Sequence, residues 1–123
     1  MILVDSSVWI DHLRRKNPAL VAALEAGQVL MHPFVLGELA CDTLSNRAEV
    51  LALLGKLPAA PVATESEALA YIERHDLMGR GIGYFDVHLL AATALAGGAN
   101  LWTKDKRLAA TAADLQLAWP AAH

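Results

Sequence analysis

Ile2, Leu3 and Val4 form a short apolar run that stops at Asp5, the pattern of a buried parallel strand whose last residue leaves the sheet. Ser6 or Ser7 is placed to cap a helix carrying Val8, Trp9, Ile10 and Leu13, and Arg14, Arg15 and Lys16 suit the negative end of its dipole. A second helix follows, with Asn17 as its cap, Pro18 in its first turn, an apolar stripe of Leu20, Val21 and Leu24, and Gly27 as its stop. The next strand is Val29 to Met31. Pro33 opens a third helix in which Phe34, Val35, Leu36, Leu39 and Ala40 surround Glu38, one turn in. Ser45 is read as the cap of a fourth, carrying Val50, Leu51 and Leu54 and ending near Gly55; the Pro-punctuated segment Leu57 to Val62 has room for one edge strand.

Thr64 and Glu67 have capping-box spacing for a fifth helix, with Leu69, Ile72 and Leu77 facing inward. The loop from Met78 to Gly83 breaks the period. A very apolar helix then runs from about Phe85 to Gly97-Gly98, followed by a strand at Leu101 to Thr103, a short helix opened by Asp105, and a last strand at Leu115 to Trp119. Strands separated by helices predict an α/β fold: a three-layer sandwich with a parallel sheet of about five strands and helices on both faces. No repeat or linker divides residues 1–123, so one domain is expected.

Composition narrows the function. With 24 Ala and 21 Leu, the chain is too apolar to be disordered. Aromatic residues make up only 6%, too few for a sheet that stacks RNA bases. The net charge of −3 means that a polyanionic substrate needs local help to bind. The single Cys41 has no disulfide or zinc partner and reads as a small buried residue in a reducing compartment. The opening residues lack the basic start and long apolar run of a signal peptide, so a cytoplasmic protein is expected. The longest stretch free of Asp, Glu, Lys and Arg, Val87 to Thr103, is short of the roughly 20 residues of a membrane span and is interrupted by Gly97, Gly98 and Asn100.

Four carboxylates stand out by position: Asp5 at the end of the first strand, Glu38 early in the third helix, Asp86 at the start of the apolar helix, and Asp105 just after the Leu101 to Thr103 strand. In an open α/β sheet, ligands collect beyond the C-terminal strand ends, where strand order reverses. Pairing of the first strand with Leu101 to Thr103 would bring Asp5 and Asp105 together there. Four bare charges in one pocket would repel and take up protons. A hard divalent cation, Mg²⁺ or Mn²⁺, resolves that conflict and suits an all-oxygen ligand set. The matching chemistry is phosphodiester hydrolysis by water activated at the metal. Helix capping is the alternative; it explains Asp86 and Asp105 well and Asp5 and Glu38 poorly.

The motifs Asp5-Ser6-Ser7-Val8-Trp9-Ile10-Asp11, Leu36-Gly37-Glu38-Leu39, Asp86-Val87-His88-Leu89-Leu90-Ala91-Ala92-Thr93 and Leu101-Trp102-Thr103-Lys104-Asp105 resemble, in order and spacing, the four motifs of PIN-domain nucleases, and the chain's length resembles the VapC-type toxin branch. The resemblance implies a Mg²⁺-dependent endoribonuclease on a five-stranded parallel sheet, paired with a small VapB-like antitoxin. Carried over, Asp5, Glu38, Asp86 and Asp105 are the catalytic, metal-binding carboxylates, and Ser6 and Thr103 are hydroxyls that orient acids or waters. Some relatives carry a further acid after the fourth motif, where this chain has Lys106 and Arg107, which leaves a second metal site open.

Other features have plainer readings. Asp42 and Asp11 are expected on solvated or salt-bridged helix surface, and His12, His32, His75, His88 and His123 show no metal-ligand spacing. The glycines at 79, 81 and 83 suggest a flexible loop more than a phosphate cradle. Arg14, Arg15, Lys16, Lys104, Lys106 and Arg107 are candidates for a phosphate-binding rim. Trp9, Leu13, Leu20 and Leu24, on two short helices, cannot all face one sheet, which points to a protein interface; the resemblance offers a homodimer and the antitoxin. Two rival functions remain. A phosphatase or phosphotransfer domain using Asp5 as nucleophile lacks the second Asp two residues on, where Ser7 stands, and a catalytically inactive PIN-like binding module would not need all four acids.

Overall fold

The computed structural model describes residues 1–120, so His123 lies outside the described residues. Three strands, β1 (Ile2–Val4), β2 (Val29–Leu30) and β3 (Asn100–Trp102), form a parallel sheet in the order β2-β1-β3. Leu3 pairs with Leu30 on one side and with Leu101 on the other. All three strands are buried apart from the partly exposed Asn100, as expected of a sheet covered on both faces.

The helices are α1 (Ser6–Arg14), α2 (Pro18–Glu25), α3 (Pro33–Ala40), α4 (Arg47–Leu54), α5 (Glu65–His75), α6 (Tyr84–Leu95) and α7 (Lys106–Asp114). From β1 the chain winds through α1 and α2 to β2 and onward through α3 and α4. It then returns through α5 and α6 to β3, on the far side of β1. Because parallel crossovers are right-handed, this reversal places α1–α4 on one face and α5–α7 on the other. The packing agrees: α1 lies on α3 and α3 on α4, whereas α5 lies on α6, and α6 and α7 both contact β3.

The sheet has three strands rather than about five. Both expected edge strands shrink to single bridges, Met31 with Ala59 and Leu101 with Ala118. Met31 donates to the Pro58 carbonyl (2.8 Å) and accepts from the Ala60 N–H (2.9 Å). Extending that ladder in either direction would require an N–H from Pro58 or Pro33, and proline has none. At the other edge, the Leu117 N–H is held by the Ala112 carbonyl (2.8 Å) at the end of α7 and cannot extend the pairing of Leu101.

Local corrections have similar causes. The N-cap of α1 is Asp5, whose carboxylate accepts the Ser6 N–H, and not Ser6 or Ser7. Asn46, with φ of 52°, precedes α4 in place of Ser45; the Arg47 guanidinium, bonded to the Ala40 carbonyl (2.6 Å), fastens the two helices together. Cys41 is exposed, because it shares the outer side of α3 with Gly37 and Glu38 while Val35 and Leu39 take the core. Leu69 is exposed, since Ala68 defines the inward side of α5. Asn17, Pro18, Pro33, Gly55 and the Thr64–Glu67 capping box all stand where the sequence pattern puts them.

Candidate functional site

Asp5, the first residue past β1, lies at the boundary between β1 and β3, where strand order reverses. Its N–H bonds to the Trp102 carbonyl (2.9 Å), which locks it beside the end of β3. The side chain is only 6% exposed and is held by its neighbours. Oδ1 accepts the Ser6 N–H (2.8 Å), and Oδ2 accepts the hydroxyls of Ser7 (2.9 Å) and Thr103 (2.7 Å). Thr103 in turn accepts the Asp105 N–H (3.1 Å), and Ser7 accepts the Lys104 N–H (3.0 Å). A buried carboxylate is tolerable here because hydroxyl and amide donors surround it. Such burial leaves Asp5 poorly placed for in-line attack on a phosphoryl group.

Glu38 joins this network from α3, which packs beside α1, and its Oε1 accepts the Ser6 hydroxyl (3.2 Å). The same hydroxyl lies 3.4 Å from Asp5. One hydrogen cannot serve both, and the shorter contact directs it to Glu38. Asp86 and Asp105 begin α6 and α7. Asp86 Oδ2 accepts the Gly83 N–H (3.0 Å), and Asp105 Oδ1 accepts the Leu108 N–H (2.9 Å). Both acids therefore do cap helices, each through a single oxygen, and among the described residues Asp86 Oδ1, Asp105 Oδ2 and Glu38 Oε2 have no protein hydrogen-bond partner.

Two of the four acids, Glu38 and Asp86, feel the charges of the others. Burial raises the Glu38 carboxyl above the ordinary carboxylate range, the Ser6 hydrogen bond opposes this, and the charges of Asp5 and Asp86 add to the rise. Burial likewise raises Asp86, against the Gly83 hydrogen bond and with help from Asp5 and Asp105. No Lys or Arg pairs with any of the four among the described residues; Lys104 pairs with Asp11 (3.2 Å) and Arg80 with Asp114 (2.7 Å). Among the described residues, no three acidic, His or Cys side chains converge closely enough to hold an ion. The donor set nonetheless fits a hard divalent cation: oxygen atoms alone, uncompensated negative charge, and a free carboxylate oxygen on three of the four side chains.

The sequence pattern did not single out Ser7, although it bonds Asp5, lies 3.3 Å from the Thr103 hydroxyl and supports the Lys104 backbone. A serine two residues past a strand-end Asp, in the first turn of the next helix, is the only local hint. Asp42 lies beyond the end of α3 and caps its own turn at the Thr43 N–H (2.8 Å). Of the candidate rim, Lys104 is tied to Asp11 and Arg107 packs over Gly81, whose φ of 78° and lack of a side chain allow the close approach. Within the glycine loop, Gly81 thus makes room for the Arg107 side chain, whereas Gly79 has nothing packed against it. His12 and His32 each accept a backbone N–H, His75 stacks on Tyr71, and His88 is buried.

Replacing Thr103 with Val keeps the shape but removes the hydroxyl from a buried carboxylate. The expected loss is about 2 kcal/mol of folding stability, the range for hydrogen bonds to charged groups. Denaturant unfolding of the two proteins checks it; equal midpoints would mean that the 2.7 Å bond contributes nothing net.

The PIN domain family profile matches residues 2–114 of the chain. The chain is also 48% identical over 114 residues to Ribonuclease VapC32 from two Mycobacterium tuberculosis strains, CDC 1551 / Oshkosh and ATCC 25618 / H37Rv; the alignment covers 93% of this chain and 92% of the relative in each case.

Proposed function

The chain belongs to the PIN-domain family and, within it, to the VapC type, and from that premise we propose that it is a Mg²⁺- or Mn²⁺-dependent endoribonuclease toxin, acting in the cytoplasm and restrained by a small VapB-like antitoxin. The observation that carries this reading is the set of four carboxylates near the strand-order reversal, where burial and neighbouring acids raise Glu38 and Asp86 and no Lys or Arg among the described residues pairs with any of the four. When bound, a divalent ion supplies a water of lowered pKa and stabilises the departing oxygen of the RNA phosphodiester. Asp5, Glu38, Asp86 and Asp105 would hold it. Ser7 and Thr103 fix the Asp5 carboxylate, and Ser6 orients Glu38. Glu38 and Asp86, with raised pKa values, must lose any protons they carry before binding a cation, so acid competes with the metal.

A second surface supports the partner. Trp9 and Leu20 turn out to be interior, at 1% and 0% exposure. Leu13 and Leu24 instead join Val50, Leu53 and Leu57 around a groove of about 280 Å³ above Trp9, between α1, α2 and α4. This groove suits the apolar face of an antitoxin helix. A basic tail on the same partner could reach the four acids and inhibit by displacing the cation. The pure toxin is read as a homodimer, which sedimentation tests.

Incubating the protein with structured RNA and Mg²⁺ tests the activity. Cleavage is expected with Mg²⁺ or Mn²⁺, little with Ca²⁺, whose looser coordination positions water poorly, and none after EDTA. Full activity after exhaustive chelation would remove the carboxylates from the chemistry, and failure to cleave any RNA would favour a binding module.

A further inference from the structure

The chain has only two phenylalanines, and they meet beside the acidic site. Phe34 comes from α3 and Phe85 from α6, on opposite faces of the sheet; their ring centroids are 4.6 Å apart and the planes are tilted by 31°. Phe34 lies one helical turn before Glu38, hence on the same side of α3, and Phe85 immediately precedes Asp86. Beneath them the rings are locked. Phe34 packs edge-on against His32 (5.0 Å) and His88 (4.9 Å), both buried, and Tyr84 packs at 89° against His88. Phe85 itself stays 52% exposed and Tyr84 42%.

An exposed, rigidly supported aromatic ring next to uncompensated carboxylates is a poor arrangement for stability alone. The acids that resist coverage by an apolar partner are, on the ribonuclease reading, where the phosphodiester is cleaved. A phosphodiester held there carries a base on either side, within one nucleotide's reach. A base offers a flat π-face whatever its identity, and stacking on an aromatic side chain needs no hydrogen-bond code. A base within a duplex already has both faces covered, so the ring can accept only an unpaired one.

We propose that Phe85, backed by Phe34, is the platform on which a base flanking the scissile phosphate stacks, which makes Phe85 a substrate-positioning residue of this site. This rests on the ribonuclease reading for its substrate and on ring geometry for its platform. Stacking discriminates paired from unpaired more strongly than one base from another.

The test uses a single-stranded RNA oligonucleotide carrying 2-aminopurine, whose fluorescence is quenched by stacking, titrated with the full chain in Ca²⁺ and in EDTA. Wild type and Phe85→Trp are expected to quench the probe. Phe85→Leu, which keeps the apolar contact with Phe34 but offers no π-face, is expected to lose the quenching and bind about ten- to a hundredfold more weakly. Where RNA is cleaved, kcat/KM of Phe85→Leu should fall by a similar factor on single-stranded RNA, and an abasic nucleotide at the stacking position should cost the wild type that factor and the variant nothing. Quenching by Phe85→Leu equal to wild type overturns the proposal. So does a protein dimer that Phe85→Leu dissociates without altering RNA binding, because that face then belongs to a partner protein. Quenching without cleavage of any RNA would leave the platform standing and sink the nuclease reading.

Discussion

Replacing Asp86 with Asn is expected to lower RNA cleavage by about 1,000-fold or more, equivalent to about 4 kcal/mol of lost transition-state stabilisation, while the protein stays folded. Asn keeps the size of the side chain and still accepts the Gly83 N–H that starts α6. What disappears is a negative charge that the surroundings resist: burial and the nearby Asp5 and Asp105 all oppose ionisation of Asp86. A group whose folded pKa is raised destabilises the fold while ionised, so the neutral variant should be at least as stable as wild type near pH 7 without added metal. Asp5→Asn is a harsher test, since Asp5 also accepts the Ser6, Ser7 and Thr103 donors. The measurements are cleavage rate in Mg²⁺ and thermal unfolding. A folded Asp5→Asn, Asp86→Asn double variant that cleaves at the wild-type rate would end the assignment.

Acid should weaken the fold through His32. This residue is fully buried, and its Nδ1 accepts the Phe34 N–H (3.0 Å), which requires the neutral ring. Burial first, and the nearby His88 second, lower its pKa from 6.5 to about 4. The unfolded chain therefore takes up the proton before the folded one does. The stability that this difference represents is complete above pH 6.5 and drains away as the pH falls towards 4; it amounts to about 3 kcal/mol, from the shift at about 1.4 kcal/mol per pKa unit. Glu38 and Asp86 act in the opposite sense, because their raised pKa values make protonation relieve repulsion. Comparing unfolding free energies at pH 7 and 4.5 for wild type and His32→Asn isolates the histidine, since Asn can still cap α3. Equal losses in the two proteins would show that His32 carries none of the effect.

The readable features share a local origin. Asn17-Pro18, Thr64 with Glu67, and the apolar run ending at Asp5 each encode their structure within a few residues, and so do the positions of Asp86 and Asp105 at helix starts. The hidden features depend on chain segments far apart. Ser7 meets Thr103 across 96 positions, and Phe34 reaches Phe85 only because the fold brings α3 and α6, from the two helical layers, together. The short edges depend on which N–H a proline deletes relative to a register the sequence does not display. His32 as a cap escaped notice because histidine rarely takes that position.

Three of the four acids also start helices: Asp5 starts α1, Asp86 the first turn of α6 and Asp105 α7. This double duty shapes how such a protein can decay. A lineage freed from selection for cleavage can accept Asn at 86 or 105 at almost no structural cost, whereas Ala would forfeit about 1 kcal/mol at each helix start. Chemically silent descendants should therefore accumulate amides at these positions before they accumulate alanines, and would still look much like working enzymes in outline. Glu38, which caps nothing, is the acid freest to drift among helix-forming residues, and its loss is expected to be the earliest mark by which a disarmed copy would be known.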